Sequence, residues 1–129
     1  MKFGGTSVAS GENIRHIANL IANYVSQGYT GVVVVSALKG VTDKLVEVSE
    51  QAKKGNRDYI HEFKQEIAEN HLTVARKAVR DKVIREEVER IVTATVDELE
   101  KVLTGIIYLG DLTPKSKDYV LSFGERLST

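Results

Sequence analysis

Apolar residues along the chain recur with two different periods, and each change of period marks a new element. Ile14, Ile17, Ala18, Ile21 and Val25 repeat at steps of three and four, which predicts an amphipathic helix with Ser10 as its N-cap and Gly28 as its stop. After Gly31 come four successive valines, Val32 to Val35, the pattern of a strand buried on both faces of a parallel sheet. Met1 to Phe3 reads as the end of an earlier strand, and Gly4 to Val8 as the loop that leaves it. A strand, helix and strand in this order make a right-handed βαβ unit. Both strands then deliver their C-terminal ends to one sheet edge, the edge where open α/β sheets bind ligands.

Downstream the period is helical throughout. Thr42 is placed to cap a helix whose inner side carries Leu45, Val46, Ser49 and Ala52. From Asp58 to Arg80 the apolar positions are Ile60, Phe63, Ile67, Val74, Ala75 and Ala78; beyond a join at 81–83 they are Ile84, Val88, Ile91, Thr95, Leu99, Val102 and Ile106. Two helices of this length, each roughly 30 to 35 Å at about 1.5 Å per residue, predict an antiparallel hairpin. Its intervening charges, such as Arg85-Glu86-Glu87 and Glu89-Arg90, read as a solvated face with mixed ion pairs. Thr113-Pro114 starts a last helix, with Tyr119, Val120, Phe123 and Leu127 facing inward.

The expected fold class is therefore α/β: a partial three-layer α/β/α sandwich with short parallel strands and a long helical hairpin, dominated by helix. Residues 1–57 form the βαβ unit and following helix, 58–110 the hairpin, and 111–129 the last helix, all parts of one domain. A partial sheet of this kind leaves a strand edge and an apolar face open, which favours self-association.

Composition narrows the chemistry. With 129 residues and 42% hydrophobic side chains the chain suits a single globular core. Eighteen basic residues balance eighteen acidic ones, so no net field draws it to nucleic acid or to an anionic membrane, and any anion site must be local. The absence of cysteine excludes disulfides, thiolate metal sites and cysteine nucleophiles. The longest apolar run is far too short to span a bilayer, and a cytoplasmic protein is the default expectation. His16, His61 and His71 read as surface or packing residues, because His61-Glu62 lacks the second histidine of a zinc-binding H-E-x-x-H.

One stretch stands out against this plain background, Lys2-Phe3-Gly4-Gly5-Thr6-Ser7. Two glycines permit a backbone to approach phosphate oxygens closely, with φ > 0 turning N–H groups into an anion-binding concavity, and the lysine adds a compact positive charge. The spacing matches neither the P-loop nor the dinucleotide fingerprint, so a simple tight turn is the competing reading.

The blocks KFGGTSV, VVVVSALKGVTDKL and LTPKSKDYVLSFGERLS, in this order, resemble the aspartate kinases of the amino acid kinase family. The resemblance implies transfer of the γ-phosphoryl group of Mg-ATP to the side-chain carboxylate of L-aspartate, the entry to lysine, threonine and methionine synthesis. It implies Lys2 at the transferring phosphoryl, with Gly4, Gly5, Thr6 and Ser7 as the phosphate loop. It further implies Ser36 and Thr42 as contacts to the amino-acid substrate, and Glu125 as partner of the substrate ammonium. A carboxylate nucleophile is already ionised at neutral pH and needs no general base. The family's site arginine lies beyond this chain, so that role does not pass to Arg126, and no residue is assigned to a metal. Asp43 stands where the family commonly has an amide, which would alter carboxylate affinity.

The resemblance also implies that the chain corresponds to the first part of a catalytic domain, expected to turn over little or not at all by itself. Its expected partners are L-aspartate, ATP, and either further copies of itself or a complementary C-terminal half. Two other readings remain open: an amino acid kinase acting on a different carboxylate, and a non-catalytic helical interaction module organised by the hairpin.

Overall fold

Two short parallel strands and five helices are laid out over residues 1–129 in the computed structural model: β1 (Lys2–Phe3), α1 (Gly11–Ser26), β2 (Val34–Val35), α2 (Val41–Lys53), α3 (Arg57–Ala78), α4 (Lys82–Leu109) and α5 (Pro114–Ser128). The fold is thus helix-dominated with a small parallel sheet. Helix boundaries follow from local chemistry. Ser10 accepts from the N–H of Asn13 (3.2 Å), Asn56 from Tyr59 (3.2 Å), Asp81 from Ile84 (3.0 Å) and Thr113 from Ser116 (3.1 Å), each satisfying a donor that a helix start leaves free. At the other end of α4, Gly110 takes the left-handed conformation (φ 63°) that lets a chain leave a helix.

Helix α2 is the centre of the core. Leu45, Val48 and Ala52 are wholly inaccessible, as are Val120 and Phe123 of α5. Helices α3, α4 and α5 pack around α2. The α3–α4 pair is antiparallel, since Lys64 bonds Asp97 (2.9 Å) and Glu100 (2.6 Å) while Arg76, further along α3, meets the earlier Glu89 (2.9 Å). Helix α1 is fastened against the end of α3. There Gly11 lies so close that an added Cβ would stand 2.6 Å from the carbonyl oxygen of Val74, and the Arg15 guanidinium donates to the Lys77 carbonyl.

Several expectations are corrected by this packing. The run Val32 to Val35 yields only two paired residues, with Lys2 opposite Val34 and Phe3 opposite Val35. It is not buried on both faces: Val32 is 77% exposed and Val34 51%, because a two-stranded sheet has no neighbouring strands and only Val35 packs against the core. Thr42 does not cap α2; the N-cap is Gly40 (φ 81°), with no side-chain hydrogen bond, and Thr42 is the second helical residue. Tyr119 is exposed rather than inward. On α4 the inner stripe is Val92, Val96, Leu99, Leu103 and Ile106, while Ile84 and Ile91 face solvent. Both stripes obey helical spacing, and the choice between them is made by where α2 and α3 lie. The same holds for α2, where Val48 is buried and Val46 only half so. His71 is a packing residue, buried within α3, and His16 and His61 lie at the surface. No helix is long and apolar enough to cross a membrane.

Candidate functional site

Parallel pairing sets the site's frame. The N–H of Val34 donates to Met1 O (2.8 Å) and that of Ser36 to Phe3 O (3.0 Å), so both strands run out at one edge, and the loops 4–10 and 36–40 leave it side by side. The first loop folds on itself through Ser7 N–H and Val8 N–H, which both donate to Gly4 O (2.9 and 3.2 Å). The Asn13 side chain holds the Thr6 carbonyl (3.4 Å). No protein oxygen accepts from the N–H groups of Gly4, Gly5 or Thr6, so three consecutive donors remain for an anion. The glycines do not achieve this through positive φ, which neither Gly4 nor Gly5 adopts. Gly5 is needed for closeness: a Cβ there would meet Ala37 O at 3.1 Å, whereas one at Gly4 would meet nothing.

Ala37 is where the three sequence blocks meet. Gly5 abuts its carbonyl from one side. From the other, Gly124 of α5 comes so near that an added Cβ would lie 2.9 Å from Ala37 Cβ, 3.3 Å from Leu45 Cδ1 and 3.8 Å from Val41 Cγ1. A third tie is Ser128, whose hydroxyl donates to Ser36 O (2.7 Å). Glu125 precedes Ser128 by three residues, on the same side of α5, and its exposed carboxylate faces no ion-pair partner among the protein's salt bridges. Thr42 and Asp43 occupy the first turn of α2 directly after Val41. With glycine as the N-cap, the first N–H groups of that helix have no side-chain acceptor and carry the positive end of the helix dipole.

Of the residues singled out by sequence, Gly5, Ser36, Thr42 and Glu125 are thus gathered by direct contacts or by immediate neighbours of such contacts. Gly4, Thr6 and Ser7 belong to the same loop. Lys2 is exposed in β1 on the strand's side opposite Phe3, whose ring packs against the core, and no contact joins its ammonium to the other groups. Gly40 and Ser128 escaped sequence reasoning, and Ala37 entered it only as part of the second block. Gly40 carried a legible signal, a glycine just ahead of a helical run. For Ser128 there was none, since its acceptor is 92 residues away.

Glu98 of α4 was also missed, being one charge among many on the hairpin. Its carboxylate accepts two bonds from the Arg126 guanidinium (3.1 and 2.6 Å) and one from the Tyr119 hydroxyl (2.8 Å), and Arg126 stacks over the Phe123 ring at 4.3 Å. This cluster clamps α5 to α4 beside Glu125. The Arg126 hydrogen bonds, then that of Tyr119, hold the Glu98 carboxyl below the usual carboxylate range. A depressed folded pKa stabilises the fold above the unfolded value of about 4.3, and that contribution disappears as pH falls through the folded value. Glu98→Gln should therefore melt below the parent at pH 7, with the gap closing towards pH 3; a pH-independent gap would show that the pair acts through packing alone.

The model of the amino acid kinase family matches residues 1–129, the whole chain. Aspartokinase 3, chloroplastic, of Arabidopsis thaliana is 38% identical over 133 residues, which cover 100% of this chain and 22% of the relative. The aspartokinase of Schizosaccharomyces pombe is 30% identical over 132 residues, 98% of this chain and 25% of the relative. Among solved structures, E. coli aspartokinase III in complex with aspartate and ADP (R-state) superimposes with a TM-score of 0.73 at 27% identity, covering 98% of this chain and 26% of that one. The chain spans about a quarter or less of the length of the relatives it matches.

Proposed function

The chain belongs to the amino acid kinase family, and we propose that it supplies the phosphate loop and the amino-acid side of an aspartate kinase site. The reaction is transfer of the γ-phosphoryl group of Mg-ATP to the side-chain carboxylate of L-aspartate, giving 4-phospho-L-aspartate and ADP, a step that opens lysine, threonine and methionine synthesis. The observation that carries this reading is the convergence of three separate sequence blocks on Ala37 at the C-terminal edge of a parallel sheet. Its support also comes from relatives named aspartokinases and a structural neighbour that holds aspartate and ADP. The complete layering, helices on both faces of a larger parallel sheet, belongs to the same proposal, as does a cytoplasmic location.

Each residue then has a physical task. The free N–H groups of Gly4, Gly5 and Thr6, with the Ser7 hydroxyl, bind phosphate oxygens, and the Lys2 ammonium neutralises charge on the transferring group. The uncapped start of α2 and the hydroxyls of Thr42 and Ser36 receive a substrate carboxylate. Glu125 pairs with the substrate ammonium. Mg2+ enters with the nucleotide as the Mg-ATP substrate. The nucleophile is an ionised carboxylate, and the protein's part is positioning and charge stabilisation.

Hydroxylamine trapping of the acyl phosphate from L-aspartate and Mg-ATP tests the reading, with the chain alone and with the remaining length of a relative supplied in trans. Hydroxamate that requires this chain and L-aspartate is expected. Equal yield with glutamate or N-acetylglutamate would replace aspartate as the substrate, and no yield in any combination would sink the proposal.

Self-association is part of the same reading. Val25, Tyr29, Val32 and Val34 leave a broad apolar surface around the sheet edge, between 51% and 77% exposed. Gel filtration should show concentration-dependent oligomers that the double variant Val32→Lys, Val34→Lys abolishes. A parent that elutes as a monomer at millimolar concentration would contradict this.

A further inference from the structure

The two strands part company at one identifiable bond. With Phe3 opposite Val35, the Phe3 carbonyl accepts from Ser36 N–H (3.0 Å). The bonds of a parallel ladder are evenly spaced, and in this register the next one would run from Gly5 N–H to Ser36 O. That bond is not made. Ser36 O is taken instead by the Ser128 hydroxyl, which reaches it at 2.7 Å from the last turn of α5.

A hydroxyl has one proton to give. The other acceptor near Ser128 Oγ is Glu125 O, further off at 3.1 Å, and it already accepts from the Thr129 N–H (3.0 Å) and hydroxyl (2.6 Å). The Ser128 proton is therefore directed at Ser36 O. Ser36 is half-buried, and a carbonyl withdrawn from water needs a donor. Without the hydroxyl, the donor that the register offers is Gly5 N–H. Gly5 lies near enough to supply it, since its added Cβ would stand 3.1 Å from Ala37 O and 3.7 Å from Lys39 N.

We propose that Ser128 is a positioning residue of the phosphate loop: by occupying Ser36 O it stops the sheet at Phe3 and keeps Gly5 N–H free to bind a phosphate oxygen. This rests on the reading of residues 4–7 as a phosphate loop. Ser128 touches no substrate and acts only through Ser36 and Gly5. The last turn of α5 thereby serves both substrates, the amino acid through Glu125 and the phosphate through Ser128.

The test uses the isotopically labelled 129-residue chain with inorganic pyrophosphate as the probe. In the parent, pyrophosphate should shift the amide resonances of Gly4, Gly5 and Thr6, and the Gly5 amide should exchange as an unbonded loop N–H does. In Ser128→Ala the Gly5 N–H should close onto Ser36 O. Its exchange should slow by about tenfold or more, and a scalar coupling across the new hydrogen bond to the Ser36 carbonyl carbon should appear. Pyrophosphate should then bind about tenfold more weakly, the worth of one hydrogen bond to a charged group. Alanine is a good helix former, so α5 persists in this variant, and Ser128→Thr, which keeps the hydroxyl, should restore the parent's exchange and affinity. Unchanged Gly5 exchange in Ser128→Ala, equal pyrophosphate affinities, or a lowered melting temperature without protection of Gly5 would each overturn the assignment. A parent that does not bind pyrophosphate would overturn the phosphate-loop reading itself, a failure visible before any substitution is made.

Discussion

Lys2→Ala should lower hydroxamate formation by about a thousandfold in whichever preparation is active, the chain alone or the chain with its complement. Phosphoryl transfer develops charge on oxygens that the protein neutralises without forming bonds to them. Removing a single preorganised donor from such a site costs about 10²- to 10³-fold in rate. A full ammonium falls at the upper end of that range. The loss should appear in kcat more than in KM, because the charge being neutralised grows towards the transition state. Lys2 is exposed, so its removal should leave the melting temperature unchanged within the usual limits of a surface substitution. A variant that keeps a third of the parent's rate would remove Lys2 from the reaction. A variant that loses activity together with several degrees of melting temperature would point to strand pairing instead.

Gly124→Val is expected to have the largest effect on stability. At this position a Cβ alone would stand 2.9 Å from Ala37 Cβ and 3.3 Å from Leu45 Cδ1, and both neighbours are buried, Leu45 completely. Neither has room to retreat in a close-packed interior. Valine adds two further methyl groups at the same point, and forcing them in should cost about 3 kcal/mol, or roughly 10 °C in melting temperature. The damage should be directed: α5 must back away from the 36–38 loop, so the Ser128 to Ser36 bond breaks and Glu125 moves with it. Amide resonances of Ser36, Ala37 and Leu45 should shift while those of α1 do not. Gly4→Ala is the contrast, since nothing lies within 4 Å of its added Cβ and its φ is not positive; its stability should match the parent's. Equal melting temperatures for Gly124→Val and the parent would mean that α5 is not seated against Ala37.

The glycines Gly4, Gly5 and Gly124 illustrate how much of the site was legible beforehand. Gly4 and Gly5 could be singled out as a loop because they follow a lysine and precede hydroxyls, but the reason for Gly5 is a backbone oxygen 32 residues away. Gly124, lacking a Cβ, leaves room for another chain segment to come close. Which segment, and that it is the one carrying Ser36, depends on how α2 and α5 pack. Thr42 shows the opposite failure: a residue of good capping type lost the cap to Gly40, because the loop must turn through a left-handed conformation before α2 begins. That exchange leaves the first N–H groups of α2 without a side-chain acceptor, and so strengthens the case for an anion there.

From the sequence alone come the number, type and approximate limits of the helices, because N-caps, stop glycines and 3.6-residue periodicity act within a few residues of each other. The parallel sense of the strands and the edge at which their loops emerge follow in the same way, from chain connectivity and handedness. The order of three motif blocks, and with it the family resemblance, is likewise a property of the chain as written. Tertiary structure decided which apolar stripe of α4 is buried, that Val32 to Val34 lie open, that Glu98 clamps α5, and that Ser128 holds Ser36. It also left His71 Nε2 buried without a hydrogen-bond partner. These depend on contacts between residues dozens of positions apart, where several arrangements satisfy the same local pattern and only the packing of all the helices together selects one.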